Sequence, residues 1–316
     1  MPRMRLFALP DSQVHGARIA SALGTTLSKL EFRGFSDGES KIRPLCEVAN
    51  EHVCIIQSLY DGPDHSVHDK LCHLLFLIAT MRDHGARRVT ALVPFLCYGR
   101  KDRRTKPQDP VTTRYVADLF AAVNCDEIIT LEVHNLAAFQ NAFRIRTHQL
   151  EIGDVFEDTI AFRLGTEPLV VMSPDSGGVK RAQLFRESLQ DRLGREIGFG
   201  FMEKRRSGGV MTSGDAVGNY QDSAVVIVDD MIASGGTMIA AARACKARGA
   251  TKAFALAAHG QFTQGAEDLF SGDDFERVFV SDSIAPFRLP DGVKTHRLEI
   301  ADTAFEFARI LRTIGF

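Results

Sequence analysis

Residues Ala224–Met238 read AVVIVDDMIASGGTM, and this stretch decides the fold class. Its apolar, β-branched start predicts a buried strand, and two adjacent carboxylates, Asp229 and Asp230, stand where we expect that strand to end. A loop of small residues then leads into a helix that we expect to begin near Thr237. In open α/β sheets, ligands bind beyond the carboxyl ends of the strands. The stretch therefore predicts a ligand site on an α/β sheet.

The loop between strand and helix is suited to an anion, because backbone N–H groups and a helix N-terminus together attract one. Its residues are Ala233, Ser234, Gly235, Gly236 and Thr237. Carboxylates repel phosphate, so Asp229 and Asp230 are expected to bind neutral hydroxyl groups or a metal ion. A phosphate loop beside such acids fits a sugar phosphate. The alternatives are an acid-rich strand end without function or a Walker-B strand, but the sequence has neither G-x-x-x-x-G-K-[ST] nor G-x-G-x-x-G.

Strands and helices alternate on both sides of this stretch. Strands are predicted at Val53–Gln57, Arg88–Val93, Glu127–Val133, Leu169–Met172, Ile197–Phe201, Ala224–Asp229, Ala253–Ala257 and Arg277–Val280. Helices are predicted at His68–His84, Thr112–Val123, Gly178–Leu193 and Gly236–Arg248. Such alternation predicts an α/β protein with mainly parallel sheets flanked by helices, built twice.

The 316 residues are enough for two domains, each with its own core. We place the boundary loosely in the polar segment Thr147–Asp158, which gives domains of residues 1–150 and 151–301. A C-terminal helix within residues 302–316, with Asp302 as its candidate N-cap, is expected to join the first domain. Its apolar stripe would be Ala304, Phe307, Ala308 and Leu311.

Composition narrows the class of protein. Thirty-eight Lys and Arg nearly balance forty Asp and Glu, which gives no reason to expect a nucleic-acid or membrane partner. No apolar stretch reaches the roughly 18 residues of a spanning helix. The cysteines lie too far apart for a C-x-x-C pair, so we expect reduced thiols in a cytoplasmic protein. They are Cys46, Cys54, Cys72, Cys97, Cys125 and Cys245.

The Ala224–Met238 segment resembles the loop that binds 5-phosphoribosyl 1-diphosphate (PRPP) in type I phosphoribosyltransferases and PRPP synthetases. Further segments occur in the order and approximate spacing of the synthetases, whereas the transferases have one such domain and lack these motifs. They are FSDGES (Phe35–Ser40), PFLCYGRKDRRTKPQDPVT (Pro94–Thr112), VHN (Val133–Asn135), SPDSGGVKRA (Ser173–Ala182) and EKRR (Glu203–Arg206). The resemblance implies two phosphoribosyltransferase-like domains. It also implies transfer of the β,γ-diphosphoryl group of ATP to the anomeric hydroxyl of ribose 5-phosphate, which gives PRPP and AMP.

The same resemblance implies roles for individual residues. ATP is expected to contact Phe35, Asp37, Glu39, Arg100, Lys101 and Asp102, and ribose 5-phosphate to contact Asp229, Asp230 and the loop Ala233–Thr237. Mg²⁺ is expected at His134 and Asp175, although this ion prefers oxygen ligands. Lys204 and Arg206, before a Gly/Ser-rich stretch, are expected to stabilise charge on the transferring phosphates.

The basic run Arg100–Lys106 (RKDRRTK) would in isolation most often be a solvated loop, but in the family it borders the triphosphate. Several positions depart from the commonest family pattern, and three of them lie in the candidate sites. Lys101 stands where glutamine is usual, and Ala233-Ser234 stand where Asp-Thr is usual.

Two other functions remain open. A non-catalytic subunit could keep the fold and regulate a true synthetase, although His134, Asp175, Lys204 and Arg206 argue against it. A phosphoribosyltransferase would instead consume PRPP together with a base. Because Phe35–Ser40 resembles a loop that completes a neighbouring subunit's nucleotide site, we also expect self-association. A dimer is the minimum, a hexamer the first expectation and a tetramer the next.

Overall fold

The computed structural model describes residues 4–203, 205–207, 210–212, 215–294 and 296–315. The first half contains β1 Met4–Ala8, α1 Gln13–Ala22, β2 Leu30–Gly34, β3 Ser40–Pro44, β4 His52–Ile56, α2 Val67–Asp83, β5 Arg88–Val93, α3 Thr112–Ala122, β6 Glu127–Leu131, α4 Leu136–Ala142 and β7 Arg146–Leu150. The second half contains α5 Ile152–Leu164, β8 Leu169–Ser173, α6 Val179–Leu193, β9 Gly198–Met202, β10 Arg205–Ser207, β11 Val210–Thr212, β12 Ala216–Val217, β13 Ala224–Ile232, α7 Gly236–Lys246, β14 Lys252–Gly260, α8 Asp268–Ser271, β15 Arg277–Ser281, α9 Asp291–Lys294, β16 Leu298–Ala301 and α10 Ala304–Thr313.

The chain divides into two compact units. Unit 1 contains residues 1–150 and 303–316, and unit 2 contains residues 151–302. Each unit is built on a mainly parallel sheet with helices packed against it, so the predicted fold class is confirmed. Within the ranges that the structure describes, no helix is both long and apolar enough to cross a membrane.

The sheet of unit 1 has the strand order β1-β4-β5-β6-β7, with every neighbouring pair parallel. Strands β4 and β6 are buried along their whole length. Their sequences, HVCII and EIITL, are mostly apolar, as is typical of parallel strands covered on both faces. Helices α2, α3 and α4 pack on one apolar core with β1, β4 and β5. Strands β2 and β3 form a separate antiparallel hairpin that packs against α2.

The sheet of unit 2 has the order β12-β9-β8-β13-β14-β15-β16, in which only the β12–β9 pair among the described strands is antiparallel. After β8 the chain crosses to β9 on one side, and β13 then returns to the other side of β8. The strand order therefore reverses between β8 and β13. Loops that leave the carboxyl ends of strands at such a reversal diverge and leave a crevice, where α/β proteins bind ligands.

The helix α10 differs from the prediction at its start. Its N-cap is Thr303 and not Asp302, and the Thr303 hydroxyl lies 3.0 Å from Nε2 of His15 on α1. Helices α1 and α10 pack against each other, which explains why the last helix belongs to unit 1. The predicted stripe is buried at all four positions, namely Ala304, Phe307, Ala308 and Leu311.

The segment Thr147–Asp158, in which we placed the domain boundary, is mostly regular structure. Its start lies in β7, and α5 begins at Ile152, with Glu151 and Asp154 forming a reciprocal capping box. Along the chain, the first segment of unit 1 ends at Leu150 and unit 2 begins at Glu151. Polar residues here indicate an edge strand and a capped helix rather than a linker.

Candidate functional site

The carboxylates Asp229 and Asp230 lie within β13, because the strand continues to Ile232 instead of ending at Asp229 as predicted. Beyond Ile232 the chain turns, and α7 begins at Gly236, the first residue of the predicted helix Gly236–Arg248. Gly235 has φ of 80°, and a Cβ there would lie 2.5 Å from the side chain of Leu269. Any other residue at 235 would therefore be strained and would clash.

The loop Ala233–Thr237 presents backbone to solvent at the N-terminus of α7. Its first part is fixed by the following segment, since the Thr263 N–H donates to the Ala233 carbonyl at 3.1 Å. Ser234, Gly236 and Thr237 are exposed. The first N–H groups of an α-helix have no partner within the helix, so this fixed loop offers donors to an anion.

Arg181, on α6, lies against both carboxylates of β13. Its Nη1 is 3.4 Å from Oδ1 of Asp229 and 3.7 Å from Oδ1 of Asp230, and the Arg181 side chain is largely buried. Burial and the neighbouring Asp230 raise the pKa of Asp229 to about 7, although Arg181 opposes the rise. Two adjacent carboxylates, of which Asp230 is buried and Asp229 half-buried, together with one cation are suited to bind several hydroxyl groups or a hard cation.

Asp175 organises the turn between β8 and α6. Its Oδ1 accepts the N–H groups of Gly177 and Gly178 at 2.8 and 3.0 Å, and its carbonyl accepts the Ser173 hydroxyl at 2.7 Å. A Cβ at Gly178 would lie 3.8 Å from Oδ1 of Asp229. The turn that holds Asp175 and the carboxylates of β13 therefore share the crevice of unit 2.

In unit 1, the loop after β5 meets the loop after β6. A Cβ at Gly99 would lie 3.9 Å from the Cβ of His134, and the Asn135 amide donates to Asp102 at 2.5 Å. Burial opposes ionisation of Asp102, but hydrogen bonds from Arg103 and Asn135 outweigh it and hold the pKa of Asp102 below its ordinary value. Arg100 and His134, both exposed, are thus brought to one edge of the sheet.

The predicted nucleotide residues Phe35, Asp37 and Glu39 lie in the loop of the β2–β3 hairpin. The Phe35 N–H donates to the Glu39 carbonyl at 2.8 Å, and Asp37 accepts the Glu39 N–H at 3.1 Å. The Phe35 ring is 41% exposed and lies 5.1 Å from the Arg33 guanidinium. No hydrogen bond, ion pair or ring contact among the described residues joins these three side chains to the Arg100–His134 edge.

The predicted catalytic pair is only partly described. Lys204 lies outside the described residues. The backbone of Arg206 lies in β10, opposite Met211 of β11, so part of the stretch predicted as a Gly/Ser-rich loop is an antiparallel hairpin.

The structure thus brings Asp175, Asp229 and Asp230 together in unit 2, and Arg100, Asp102 and His134 together in unit 1. It does not join the hairpin residues Phe35, Asp37 and Glu39 to the unit 1 set. Sequence reasoning missed Arg181 and Asn135, although both lie inside the motifs SPDSGGVKRA and VHN. The sequence offered a signal for each. Arg181 is a basic residue in the first helical turn after the predicted Asp175 turn, and Asn135 directly follows the candidate ligand His134. Among the described residues, no cluster of three or more His, Cys, Asp or Glu side chains is arranged to hold a metal ion.

Magnesium usually takes one or two protein carboxylates and fills its other positions with water and phosphate oxygens. In unit 2, Asp175, Asp229 and Asp230 do not form a three-ligand cluster, but each offers carboxylate oxygens. One or two of them therefore fit a Mg²⁺ ion whose other ligands are water and phosphate oxygens. The imidazole of His134 is a softer ligand and fits the ion less well.

Comparison with known proteins covers most of the chain. Residues 4–123 match the N-terminal domain of ribose phosphate pyrophosphokinase, and residues 145–270 match a phosphoribosyl transferase domain. The ribose-phosphate pyrophosphokinase of Mycoplasma genitalium is 32% identical over 97% of this chain and 90% of its own length. The ribose-phosphate pyrophosphokinase of Vibrio parahaemolyticus is 35% identical over 90% of this chain and 88% of its own length.

A solved structure is similar over its whole length. The phosphoribosylpyrophosphate synthetase from Mycobacterium smegmatis superposes with a TM-score of 0.87 at 25% identity, covering 99% of this chain and 98% of that one. The resemblance inferred from the motifs is therefore confirmed: this chain belongs to the ribose-phosphate pyrophosphokinase family.

Proposed function

We propose that this chain transfers the β,γ-diphosphoryl group of ATP to the anomeric hydroxyl of ribose 5-phosphate, giving PRPP and AMP for nucleotide biosynthesis. Membership of the ribose-phosphate pyrophosphokinase family supports this reaction. The observation that carries it in the structure is the Asp229–Asp230 pair beside an anion-binding loop, at the point where the strand order of unit 2 reverses.

In this proposal the loop Ala233–Thr237 binds the 5-phosphate through backbone N–H groups and the N-terminus of α7. Asp229 and Asp230 bind the ribose hydroxyls, directly or through the bound cation. Arg181 lies beside both carboxylates, and its positive charge favours their ionised forms. The sugar is then fixed at both ends, which orients its anomeric hydroxyl for attack.

ATP is proposed to bind at the carboxyl edge of the sheet in unit 1. The Arg100 side chain is exposed there, and its guanidinium is suited to donate two parallel hydrogen bonds to phosphate oxygens. Asp102 is a carboxylate and is engaged by Arg103 and Asn135, so we assign it to positioning the loop rather than to phosphate contact. Phe35, Asp37 and Glu39 would bind adenine and ribose from a neighbouring subunit's hairpin.

We propose Mg²⁺ as the cofactor, with Asp175 and His134 as the residues that would hold it together with ATP. When bound, the ion neutralises phosphate charge. Lys204 and Arg206 would stabilise the charge that develops on the diphosphoryl group as the anomeric oxygen attacks the β-phosphorus in line with the departing AMP oxygen. The chain's own contribution is therefore positioning and charge stabilisation.

We further propose that the enzyme acts in the cytoplasm as a homo-oligomer and binds neither nucleic acid nor membranes. The near-neutral composition supports the part of this proposal that concerns nucleic acid and membranes. The exposed Phe35 ring, which makes no contact with the Arg100–His134 edge of its own unit, supports the shared nucleotide site.

The test is to incubate purified protein with ribose 5-phosphate and Mg²⁺-ATP and to follow the products by ³¹P NMR. Equal amounts of AMP and PRPP are expected, with neither formed when ribose 5-phosphate is omitted. Formation of ADP would show transfer of a single phosphoryl group and contradict the proposal. A chain that is inactive alone but stimulates an active synthetase would instead be a regulatory subunit, and consumption of PRPP with a base would indicate a transferase.

A further inference from the structure

The basic run Arg100–Lys106 is held in shape by a carboxylate that follows it, Asp109. Oδ2 of Asp109 accepts the Lys101 ammonium at 2.5 Å, the Thr105 hydroxyl at 2.8 Å, and the backbone N–H groups of Thr105 and Lys106 at 3.0 Å each. These donors, Lys101 first, hold the pKa of Asp109 well below its ordinary value. Asp109 is therefore ionised at any working pH.

The positive charges of the run are unequally engaged. Lys101 pairs with Asp109, Arg103 donates two hydrogen bonds to Asp102, and Arg104 donates to the Asp109 carbonyl at 3.2 Å. Within the described part of the chain, the side chains of Arg100 and Lys106 form no hydrogen bond or ion pair. The loop thus neutralises part of its own charge and leaves Arg100 to meet an anion.

The loop is also anchored at the end nearest β5. The Thr113 hydroxyl, at the start of α3, lies 2.9 Å from the Tyr98 carbonyl and 3.3 Å from the Lys101 carbonyl. Tyr98 itself has φ of 60°, a conformation that an aromatic residue adopts only when neighbouring contacts enforce it. The segment that remains, residues 103–109, depends on Asp109 for its shape.

We propose that Asp109 is a positioning residue of the nucleotide site, with Lys101 as its counter-ion rather than a ligand of ATP. The proposal rests on the function proposed above, since it assumes that this edge of unit 1 binds the triphosphate. A bare carboxylate near a polyanion would repel it, and the Lys101 ammonium cancels that charge. For Lys101 to reach a phosphate, it would have to leave Asp109 unpaired, which opposes the gain.

The test is a double-mutant cycle on Mg²⁺-ATP binding, measured by calorimetry without ribose 5-phosphate. Lys101→Met is expected to weaken binding about tenfold in the wild-type background, because it leaves Asp109 unpaired. In the Asp109→Asn background, where no charge is left to cancel, the same substitution is expected to change binding less than about twofold. Arg100→Met should weaken binding at least about tenfold in both backgrounds, because the lost Arg100 guanidinium is the proposed direct contact with phosphate.

Positioning has its own readout. Asp109→Ala removes the acceptor of the Thr105 and Lys106 N–H groups, so the KM for ATP should rise about tenfold, while the KM for ribose 5-phosphate stays within about twofold. Asp109→Asn, which keeps an acceptor oxygen, should recover most of that loss. The matched control is Asp118→Asn. Asp118 is an exposed carboxylate on α3 that pairs with Arg114 at 3.8 Å, so its replacement should change neither KM.

Two results would overturn the inference while leaving the proposed function intact. One is an equal cost of Lys101→Met in both backgrounds, which would show direct contact with ATP. The other is an unchanged KM for ATP in Asp109→Ala. If the wild-type chain binds no Mg²⁺-ATP, the proposed function and this inference both fall.

Discussion

The side-chain amide of Asn135 donates to the Asp102 carboxylate across 2.5 Å, and this contact joins the loop after β5 to the start of α4. Asn135 also caps α4, since its side-chain oxygen accepts the Ala138 N–H at 3.1 Å. One residue therefore fixes both the helix that follows His134 and the loop that carries Arg100. Arg100, the candidate phosphate contact, and His134, the candidate metal ligand, therefore depend on Asn135 for their spacing.

We expect Asn135→Ser to lower kcat/KM for ATP about tenfold, because serine can cap the helix but cannot reach Asp102 as a donor. Asn135→Ala should lose the same factor and about 1 kcal/mol of stability as well. Steady-state kinetics and thermal unfolding separate the two effects. Normal kinetics in the serine variant would show that the Asn135–Asp102 contact has no part in nucleotide binding.

Asp229 predicts a pH dependence for ribose 5-phosphate binding. Its pKa of about 7 means that the carboxyl is mostly neutral at pH 6 and mostly ionised at pH 8. A carboxylate accepts hydrogen bonds from sugar hydroxyls better than a neutral carboxyl does, so affinity should rise about tenfold over this interval. The substrate phosphate also titrates near pH 6, so Asp229→Asn is the control. It should lose the rise above pH 6.5 and keep only the phosphate's own effect.

The same shift has the opposite sign for stability. The Asp229 pKa is raised from 3.8 to about 7 on folding, so the folded state binds the proton more tightly than the unfolded state. The free energy of unfolding should therefore fall as pH rises from about 4 to about 7, and the cost is complete above pH 7. Asp229→Asn should flatten this part of the profile in urea titrations. An unchanged slope in that variant would assign the effect to another group.

Arg181 should be a positioning residue rather than a contact of the sugar. Arg181→Met removes the cation that opposes the raised pKa of Asp229, so the pH profile for ribose 5-phosphate should move to higher pH. Affinity near pH 7 should fall, and the KM for ATP should change little. Arg181→Lys should recover part of the loss. A uniform loss at all pH values would contradict this role and indicate direct contact with the substrate.

Lys204 and Arg206 should be required for turnover. Alanine at either position is expected to lower kcat on the order of 10²-fold or more, because the positive charge meets the diphosphoryl group only in the transition state. Arg205→Ala, between them in the sequence, is the matched control and should be near normal. Near-normal turnover in both Lys204→Ala and Arg206→Ala would remove this segment from the mechanism.

The hairpin loop predicts a site shared between subunits. We expect light scattering to show at least a dimer. Phe35→Ala and Arg100→Ala should each be nearly inactive at low ATP. Mixed dimers of the two variants contain one intact site, so random mixing should restore about a quarter of wild-type activity. If mixing restores nothing, or if an active monomer is found at assay concentration, each subunit carries its own complete site.

Sequence predicted best the elements that are buried on both faces. Strand β5 was predicted to the residue because a β-branched and apolar run follows Arg88 and ends at Pro94, which cannot donate a hydrogen bond to the sheet. The hairpin strands β2 and β3 were missed, since none of their residues is fully buried and Arg33, Lys41 and Arg43 are exposed charges. Strand β7 was missed for a related reason: RTHQL lies at a sheet edge, where one flank of the strand needs no partner.

The carboxylate pair and its loop could be predicted because their residues are adjacent in sequence. The pairing of Arg181 with Asp229 could not, because 48 positions separate them and only the neighbouring positions of β8 and β13 bring them together. The length of β13 was also underestimated. Aspartate is rare in strands, yet Asp229 continues the ladder opposite Ala257, and Ile232 continues it opposite Gly260.

The placement of α10 in unit 1 has a consequence for how the protein is made. During synthesis, unit 2 leaves the ribosome complete before residues 303–316 do, so it can fold while unit 1 still lacks its last helix. Until then His15, buried on α1, lacks the Phe307 ring of α10, whose centroid lies 5.8 Å from that of the imidazole in the finished structure. A nascent chain that stalls after unit 2 would thus carry a finished second half and an unfinished first half. We infer that the half translated first is the last to reach its final structure.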